Sequence, residues 1–224
     1  VRAAVPECPP IIDPDIDANE GKKQFYETAY KLGSMFTQAR QEIEVATTRA
    51  LEANRAYRAH LERDGLTPVQ SIEAMFPEYR VENRGNGSNP IITVAVLGHR
   101  YMLYDEHISH RLIQRLASLG VKIVFAETAG EDSLKASMLE IVEKPYWGYE
   151  EDIVGAGAHY ILSGVDGIIS VAAFGCGPDS VMLELVQRAA RRLNRPLLKL
   201  ILDEHTGEGG LVTRLEAVVD MVRR

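Results

Sequence analysis

Residues 166–180, DGIISVAAFGCGPDS, form an apolar run that ends in a turn with a cysteine between two glycines. The run Gly167–Phe174 is almost wholly apolar, which is typical of a parallel strand buried on both faces. The proline and aspartate that follow are typical of the first turn of a helix, so we predict a helix over 178–193. A strand followed by a helix is the repeating unit of proteins with parallel sheets.

The same alternation continues on both sides of this stretch. Apolar runs and helical periodicities predict these further elements: strands at 91–97, 121–126 and 197–202, and helices at 108–119, 133–143, 149–162 and 211–222. Helical crossovers between parallel strands place helices on both faces of the sheet. We therefore predict an α/β fold with a four-stranded parallel flavodoxin-like sheet in the order 2-1-3-4, preceded by an N-terminal helical region.

The first part of the chain has a different pattern. Residues 1–18 are rich in Pro and Asp and are predicted to form an extended lead-in. Residues 19–78 repeat apolar side chains at three- and four-residue steps and are predicted to be a helical region. The polar segment 79–90, YRVENRGNGSNP, is predicted to be a linker, which leaves 91–224 as the flavodoxin-like α/β domain.

Composition and charge argue against several classes of partner. The chain has 224 residues and a formal net charge of −7 at pH 7, which disfavours binding to nucleic acid or to anionic membranes. Its apolar runs are too short to span a bilayer. Its two cysteines lie far apart and give neither a disulfide framework nor a two-pair zinc site. We expect a cytoplasmic protein.

Polar residues are concentrated in the loops that follow predicted strands one, three and four. The carboxyl ends of parallel strands meet at one edge of the sheet, and ligands bind there, where the strand order reverses. Loops on a rigid scaffold carry function disproportionately. We expect one crevice lined by these side chains: His99, Arg100, Tyr101, Tyr104, Cys176, Asp203, Glu204 and His205.

Cys176 is the candidate metal ligand of this crevice. It lies at the start of a predicted helix, where backbone N–H groups and the helix dipole favour a thiolate. The pattern fits a metal-bound or reactive sulfur, and it fits equally a small buried cysteine in a tight turn.

His99 and His205 are the candidate catalytic bases, and Glu204 is a candidate partner for His205. A lone histidine such as His99 more usually caps a turn or hydrogen-bonds a carbonyl group. The glycines of segment 206–210 suit an anion-binding nest at a helix N-terminus, but their spacing matches neither a dinucleotide-binding nor a P-loop motif. The candidate cofactor-binding residues are Gly175, Gly177, Tyr101, Tyr104, Gly207 and Gly209.

Three long segments carry a family resemblance: VLGHRYMLYD (96–105), DGIISVAAFGCGPDS (166–180) and LDEHTGEGGLVTRLEAVVDM (202–221). They closely resemble the 2-hydroxyacyl-CoA dehydratase-like proteins. Within that group they are most similar to the acyl-CoA dehydratase activase-related branch, often labelled CoA-substrate-specific enzyme activase. The resemblance covers the chain from Ile91 to its end and, more loosely, the helical region before it.

The resemblance implies a flavodoxin-like domain that binds an iron–sulfur cluster through three cysteines, one of which follows a strand as Cys176 does. It implies electron transfer or reductive radical chemistry on acyl-CoA-type substrates, with an ATP-dependent activator as a partner. A four-iron cluster takes four Cys, or three with one open site, and this chain adds only Cys8. We therefore expect a second α/β domain or subunit to supply the missing cysteines.

The proline-rich beginning is typical of an interdomain linker, so we expect the chain to be part of a longer protein or a split subunit. Two functions of other classes also fit the sequence. One is a non-catalytic binding or assembly subunit with an anion-binding crevice. The other is a cysteine hydrolase that uses Cys176 and His205.

Overall fold

The computed structural model describes residues 9, 11–15, 21–76 and 92–223. The chain divides into two compact units, Val1–Ala56 and Tyr57–Arg224. The predicted linker at 79–90 and most of the predicted lead-in at 1–18 lie outside the described residues, so the predicted domain boundaries stay predictions. Within the described ranges, the chain contains no helix long and apolar enough to cross a membrane.

The first unit contains helix α1 (Gly21–Gly33) and the beginning of helix α2 (Arg40–Asp64). Ile43 is buried and packs so closely on Gly33 that a Cβ there would lie 2.6 Å from its Cγ2 atom. At the start of α2, Thr37 accepts a hydrogen bond from the Ala39 N–H and donates one to Glu42. The helical region predicted from the sequence is therefore helical in its described part.

The second unit is built on a parallel sheet. Its strands are β1 (Ile92–Leu97), β2 (Val121–Val124), β3 (Gly167–Ala173) and β4 (Leu197–Leu202). Their order is β2-β1-β3-β4 and every pairing is parallel, which confirms the predicted fold class and strand order. The helices of this unit are the end of α2, α3 (Pro68–Met75), α4 (Arg100–Tyr104), α5 (Leu112–Ser118), α6 (Glu131–Leu139), α7 (Ala156–Ser163), α8 (Gly177–Arg192) and α9 (Glu208–Arg223).

Both faces of the sheet are covered by helices. Val94 and Val96 of β1 are buried in a core with α4, α5 and α9, while Ala95 and Leu97 are buried with α6, α7 and α8. Because successive side chains of a strand point to opposite faces, a strand covered on both sides has to be apolar at nearly every position. This double burial is why the two central strands, β1 and β3, are apolar at nearly every position rather than alternating.

Several elements differ from the sequence-based expectation. Helix α6 ends at Leu139 instead of at 143, and helix α9 begins at Glu208 instead of at 211. The helix predicted at 108–119 begins at Leu112, because His110 and Arg111 both have positive φ, 50° and 58°, which a right-handed helix cannot include. The strand predicted at 121–126 ends at Val124, and the Phe125 N–H donates to the Thr128 hydroxyl instead of to a neighbouring strand. The helix predicted at 149–162 contains a π-helical turn, Glu151–Gly155, before α7.

Candidate functional site

The end of β1 approaches β3 unusually closely. A Cβ on Gly98 would lie 2.6 Å from the carbonyl oxygen of Val171, a separation that real Cβ atoms essentially never show. Glycine is therefore required here by the close approach of two backbones. The next residue, His99, has an extended backbone and directly precedes α4, so its ring is held at the carboxyl end of the sheet.

Cys176 lies at the carboxyl end of the neighbouring strand. After β3 the chain turns at Gly175, whose φ of +79° favours glycine, and Cys176 then directly precedes α8. The Cys176 carbonyl accepts hydrogen bonds from the backbone N–H and the hydroxyl of Ser180, at 3.2 and 2.8 Å. These bonds fix the backbone, and the half-buried Cys176 thiol forms no disulfide within the described part of the chain.

Asp179 joins the two loops through His99. The His99 Nε2 atom lies 2.8 Å from Asp179 Oδ1 and donates to it, with the two side chains 18% and 1% exposed. The second carboxylate oxygen, Oδ2, is buried and has no hydrogen-bond partner among the described residues. A buried acceptor left unsatisfied costs about 1–3 kcal/mol, and buried carboxylates are normally paired or bound to a metal. Asp179 therefore has one oxygen available for a further ligand.

His99, Cys176 and Asp179 lie close enough to act together. Their candidate ligand atoms all lie within 4.8 Å of one another, and no other group of three or more His, Cys, Asp or Glu in the described part of the chain is arranged this way. Imidazole, thiolate and carboxylate are common ligands of zinc and other transition metals. We call these three residues and the aromatic rings around them the crevice.

Two tyrosines cover His99. The Tyr101 ring stacks on the imidazole with centroids 5.7 Å apart, and the Tyr149 ring meets it edge-on at 4.5 Å. Burial raises the pKa of Tyr101, and the charges of Asp179 and Cys176 raise it further. Burial likewise raises the pKa of Tyr149, with Cys176 and Asp179 adding to the shift. Both phenols therefore stay protonated beside the thiol.

Glu150 positions the segment that carries Tyr149. Its side chain is 1% exposed, and its Oε2 atom accepts hydrogen bonds from the backbone N–H groups of Tyr146 and Trp147, at 2.7 and 3.3 Å. A buried carboxylate satisfied by two backbone donors holds this loop in one conformation. The Tyr149 ring is thereby kept against His99.

A second polar network lies beside the crevice. The Tyr104 hydroxyl donates to Glu127 Oε2 at 3.0 Å, and Arg100 contacts Glu127 Oε1 at 3.0 Å and Asp152 Oδ2 at 3.1 Å. Burial raises the pKa of Glu127 and, together with the Glu127 charge, raises that of Tyr104 far above its ordinary value. The Tyr104 hydroxyl, predicted to bind a cofactor, thus forms its hydrogen bond with Glu127 of the same chain. Arg100 joins the loops after β1 and β2 to the π-helical turn.

The loop after β4 has a different character. We call residues 203–207 the β4 turn. Asp203 Oδ1 accepts from the His205 N–H at 3.0 Å and from the Thr206 hydroxyl at 2.8 Å, and the Asp203 N–H donates to the same hydroxyl. His205 and Glu204, the predicted catalytic pair, face each other at 3.6 Å with side chains 84% and 81% exposed. They lie in solvent and outside the group formed by His99, Cys176 and Asp179.

Of the four glycines predicted to bind a cofactor, only Gly175 has a backbone conformation that favours glycine. Gly175 occupies the left-handed region, whereas a Cβ on Gly177, Gly207 or Gly209 would meet nothing within 4 Å. The two glycines after β4 therefore line no enclosed space in the described residues.

Two crevice residues were not predicted as site residues. Asp179 was recognised only as a helix-start residue, although its spacing of three from Cys176 places both at the beginning of α8. Tyr149 comes from a segment far away in sequence, and no local pattern signals its contact with His99.

Comparisons with known proteins give one family. Residues 1–128, more than half of the chain, match the family model described as CoA enzyme activase uncharacterised domain (DUF2229). The match includes the described helices of the first part, β1, β2 and His99, and it ends before Cys176 and Asp179. No curated protein and no solved structure matches the chain.

Proposed function

The chain belongs to the family of CoA enzyme activase uncharacterised domains, and from this we propose that it is a component of an acyl-CoA dehydratase activase-related system. In this role it is a domain or subunit that takes part in electron transfer or reductive radical chemistry on acyl-CoA-type substrates. Its partners are a second α/β domain or subunit and an ATP-dependent activator. The proposal places its work in the cytoplasm.

The observation that carries the proposal is the position of Cys176. It is a half-buried thiol at the carboxyl end of β3, with His99 at the carboxyl end of the adjacent β1. Strands β1 and β3 flank the point where the strand order reverses, and open α/β sheets bind their ligands there. A redox group bound at this point would lie at the edge of the sheet, within reach of a partner.

An iron–sulfur cluster does not fit this chain alone. A four-iron cluster takes four cysteine thiolates, or three with one open position, and the described residues bring only Cys176 to the crevice. We therefore propose that a cluster at Cys176 is shared, with the remaining thiolates supplied by the second domain or subunit. The cluster would carry electrons, and the contribution of this chain is to hold one thiolate on a rigid turn.

Anaerobic reconstitution tests this proposal. The full chain is incubated with iron and sulfide, alone and together with a co-purifying cysteine-rich α/β partner, and bound iron, sulfide and visible absorption are measured. We expect a stable cluster only in the complex, and we expect Cys176→Ala to abolish or strongly reduce it. Cys8→Ala is the matched thiol control and should keep the cluster content of the unmodified complex.

Two outcomes would contradict the proposal. A stable four-iron cluster on the isolated chain would exclude a shared site. Normal cluster content in the Cys176→Ala complex would exclude Cys176 as a ligand.

The two other functions have less support in the geometry. A cysteine hydrolase that uses His205 is disfavoured, since that ring is largely exposed and pairs with Glu204. An anion site at residues 206–210 would rest on open glycines at the start of α9, where the neighbouring Arg115 guanidinium is already paired with Glu208.

A further inference from the structure

We propose that His99, Cys176 and Asp179 bind a single divalent transition-metal ion of the Zn²⁺ or Fe²⁺ class, in a three-ligand site that this chain forms without partner cysteines. The inference shares Cys176 with the proposed function. It does not require a cluster, an activator or a CoA substrate.

The three side chains are placed by rigid elements. His99 follows β1, Cys176 follows the turn after β3, and Asp179 lies in the first turn of α8. Their ligand atoms lie within 4.8 Å of one another, and ligands of one tetrahedral ion lie about 3.3–3.8 Å apart at ordinary metal–ligand distances. Because His99 Nε2 and Asp179 Oδ1 are hydrogen-bonded at 2.8 Å, a bound ion would replace the proton between them, and the half-buried Cys176 thiol would rotate inward to complete the site.

Asp179 gives the independent indication of a ligand. Asp179 is the third residue of α8, and its carboxylate does not cap the helix, because the Cys176 N–H donates to the Ala173 carbonyl oxygen. The carboxylate is instead buried against His99, and its Oδ2 atom has no hydrogen-bond partner in the described part of the chain. A metal ion would satisfy this oxygen and neutralise a charge that burial otherwise disfavours.

The ligand types select the class of metal. Mg²⁺ and Ca²⁺ prefer oxygen ligands, so a thiolate and an imidazole disfavour both. Zn²⁺ and Fe²⁺ accept sulfur, nitrogen and oxygen together. The Tyr101 and Tyr149 rings pack against His99, so they shield its imidazole from solvent.

The number of ligands has a functional consequence. Metal sites with three protein ligands keep one position for water or substrate, whereas structural sites have four. The open position would accept a thiolate of the partner or an oxygen of the substrate. The partner could therefore bind to this chain through the metal ion as well as through surface contacts.

Metal titration of the full chain tests the inference. The chain is stripped with a chelator, then titrated with Co²⁺ alone and with Zn²⁺ alone, and binding is followed by calorimetry and by the thiolate-to-cobalt absorption band. We expect one ion per chain, a thiolate band with Co²⁺, and loss of the band when Zn²⁺ is added.

Matched variants locate the ion. Cys176→Ala should remove the thiolate band, and Asp179→Asn and His99→Gln should each weaken binding at least about tenfold. His205→Gln and Glu204→Gln are the controls of the same residue types, and both should leave affinity unchanged. Circular dichroism of the metal-free proteins checks that each variant is folded. If Cys176→Ala unfolds, the near-isosteric Asp179→Asn still tests whether the ion binds at these residues.

Each outcome decides the inference. Absence of stoichiometric binding, a thiolate band that persists in Cys176→Ala, or equal losses in the His205→Gln control would overturn it. A chain that binds no ion but forms a cluster with its partner would overturn this inference and leave the proposed function standing. A chain that binds one ion but forms no cluster in any complex would support this inference and reject the shared cluster.

Discussion

The crevice and the β4 turn lie at the same edge of one parallel sheet, yet their polar side chains differ in burial and in how completely they are hydrogen-bonded. In the crevice, Asp179 is buried, shares one oxygen with His99 and leaves the other without a partner among the described residues. In the β4 turn, Asp203 is exposed and satisfied by its own neighbours, His205 and Thr206. From the sequence, both regions were expected to line one crevice, because both contain polar residues after the carboxyl end of a strand.

The difference teaches that polar residues after a strand become a candidate site only when tertiary contacts bury them and leave hydrogen-bonding capacity unused. In the β4 turn, the Asp203 carboxylate already accepts hydrogen bonds from His205 and Thr206, two and three positions further along the chain. The crevice assembles its groups from loops 80 residues apart, as the His99–Asp179 pair shows. The following predictions test this contrast, from the largest expected effect to the smallest.

Gly98→Ala should destabilise the protein by about 3 kcal/mol, since overpacking against backbone cannot relax easily. The added Cβ would meet the Val171 carbonyl oxygen at 2.6 Å, and the φ of Gly98 is itself unfavourable for alanine. Chemical denaturation measures the loss. Gly209→Ala is the matched control, with open space around its Cβ and a helical position that favours alanine by about 0.5 kcal/mol. Equal losses of unfolding free energy in the two variants would contradict the conclusion that the loop at Gly98 is tightly packed and the one at Gly209 is open.

Tyr104→Phe should cost about 2 kcal/mol, because it leaves a buried oxygen of Glu127 without its donor. The measurement is the free energy of unfolding at neutral pH. Thr206→Val, which removes a hydroxyl from the exposed β4 turn, should cost clearly less, since water replaces the lost bonds. A larger loss for the threonine variant would contradict the assignment of the buried network as the more stabilising one.

Glu127→Gln should change how stability depends on pH. Burial raises the folded-state pKa of Glu127 above its ordinary 4.5, so the native state binds more protons than the unfolded state between those two values. This contribution to stability is complete below about pH 4.5 and is lost as the pH rises through the folded-state pKa. The stability of the unmodified protein relative to the variant should therefore decrease with rising pH. Parallel stability curves would argue against a raised pKa.

Asp203→Asn should give a smaller effect of opposite sign. The hydrogen bond from Thr206 holds the folded-state pKa of Asp203 below its ordinary 3.8. Its contribution is present above that value and is lost as the pH falls through the folded-state pKa. Acid denaturation should therefore be slightly less steep in the variant, and solvent keeps the effect small at this exposed site. A variant that is more acid-sensitive than the original would reverse the sign and refute the assignment.

The sequence was sufficient for the sheet because burial on both faces leaves a strong pattern. The runs at 91–97 and 167–174 are apolar at nearly every position, and helical crossovers between such strands predict a parallel sheet. The observed strand order agrees with the usual order of flavodoxin-like sheets, which is the default expectation for such a sheet. The beginning of α5 was predicted four residues too early. Asp105 accepts hydrogen bonds from the N–H groups of His107 and Ile108, a local competitor of helix that hydrophobic periodicity does not record.

The candidate site was predictable only where it follows from topology. The switch-point rule placed His99 and Cys176 in one region, and the structure brings both beside Asp179, while their roles stay predictions. The same rule could not show that His205 and Glu204 would remain in solvent, because side-chain direction in the β4 turn depends on its own hydrogen bonds. The direction of the Asp179 carboxylate and the contact of Tyr149 with His99 are tertiary properties without a local sequence signal.

The pairing of β1 with β3 also determines when the crevice forms during folding. Val94 pairs with Gly167, so the chain must close a loop of more than seventy residues before His99 and Cys176 become neighbours. Long loops and parallel pairings are intrinsically slow to close, since the entropy of closure is lost before the contacts form. We expect β1–β2 and the local helices to form early and the crevice to appear only with the last pairings. A nascent chain released before β3 would lack both Cys176 and Asp179, so the crevice would assemble only when the second unit is complete.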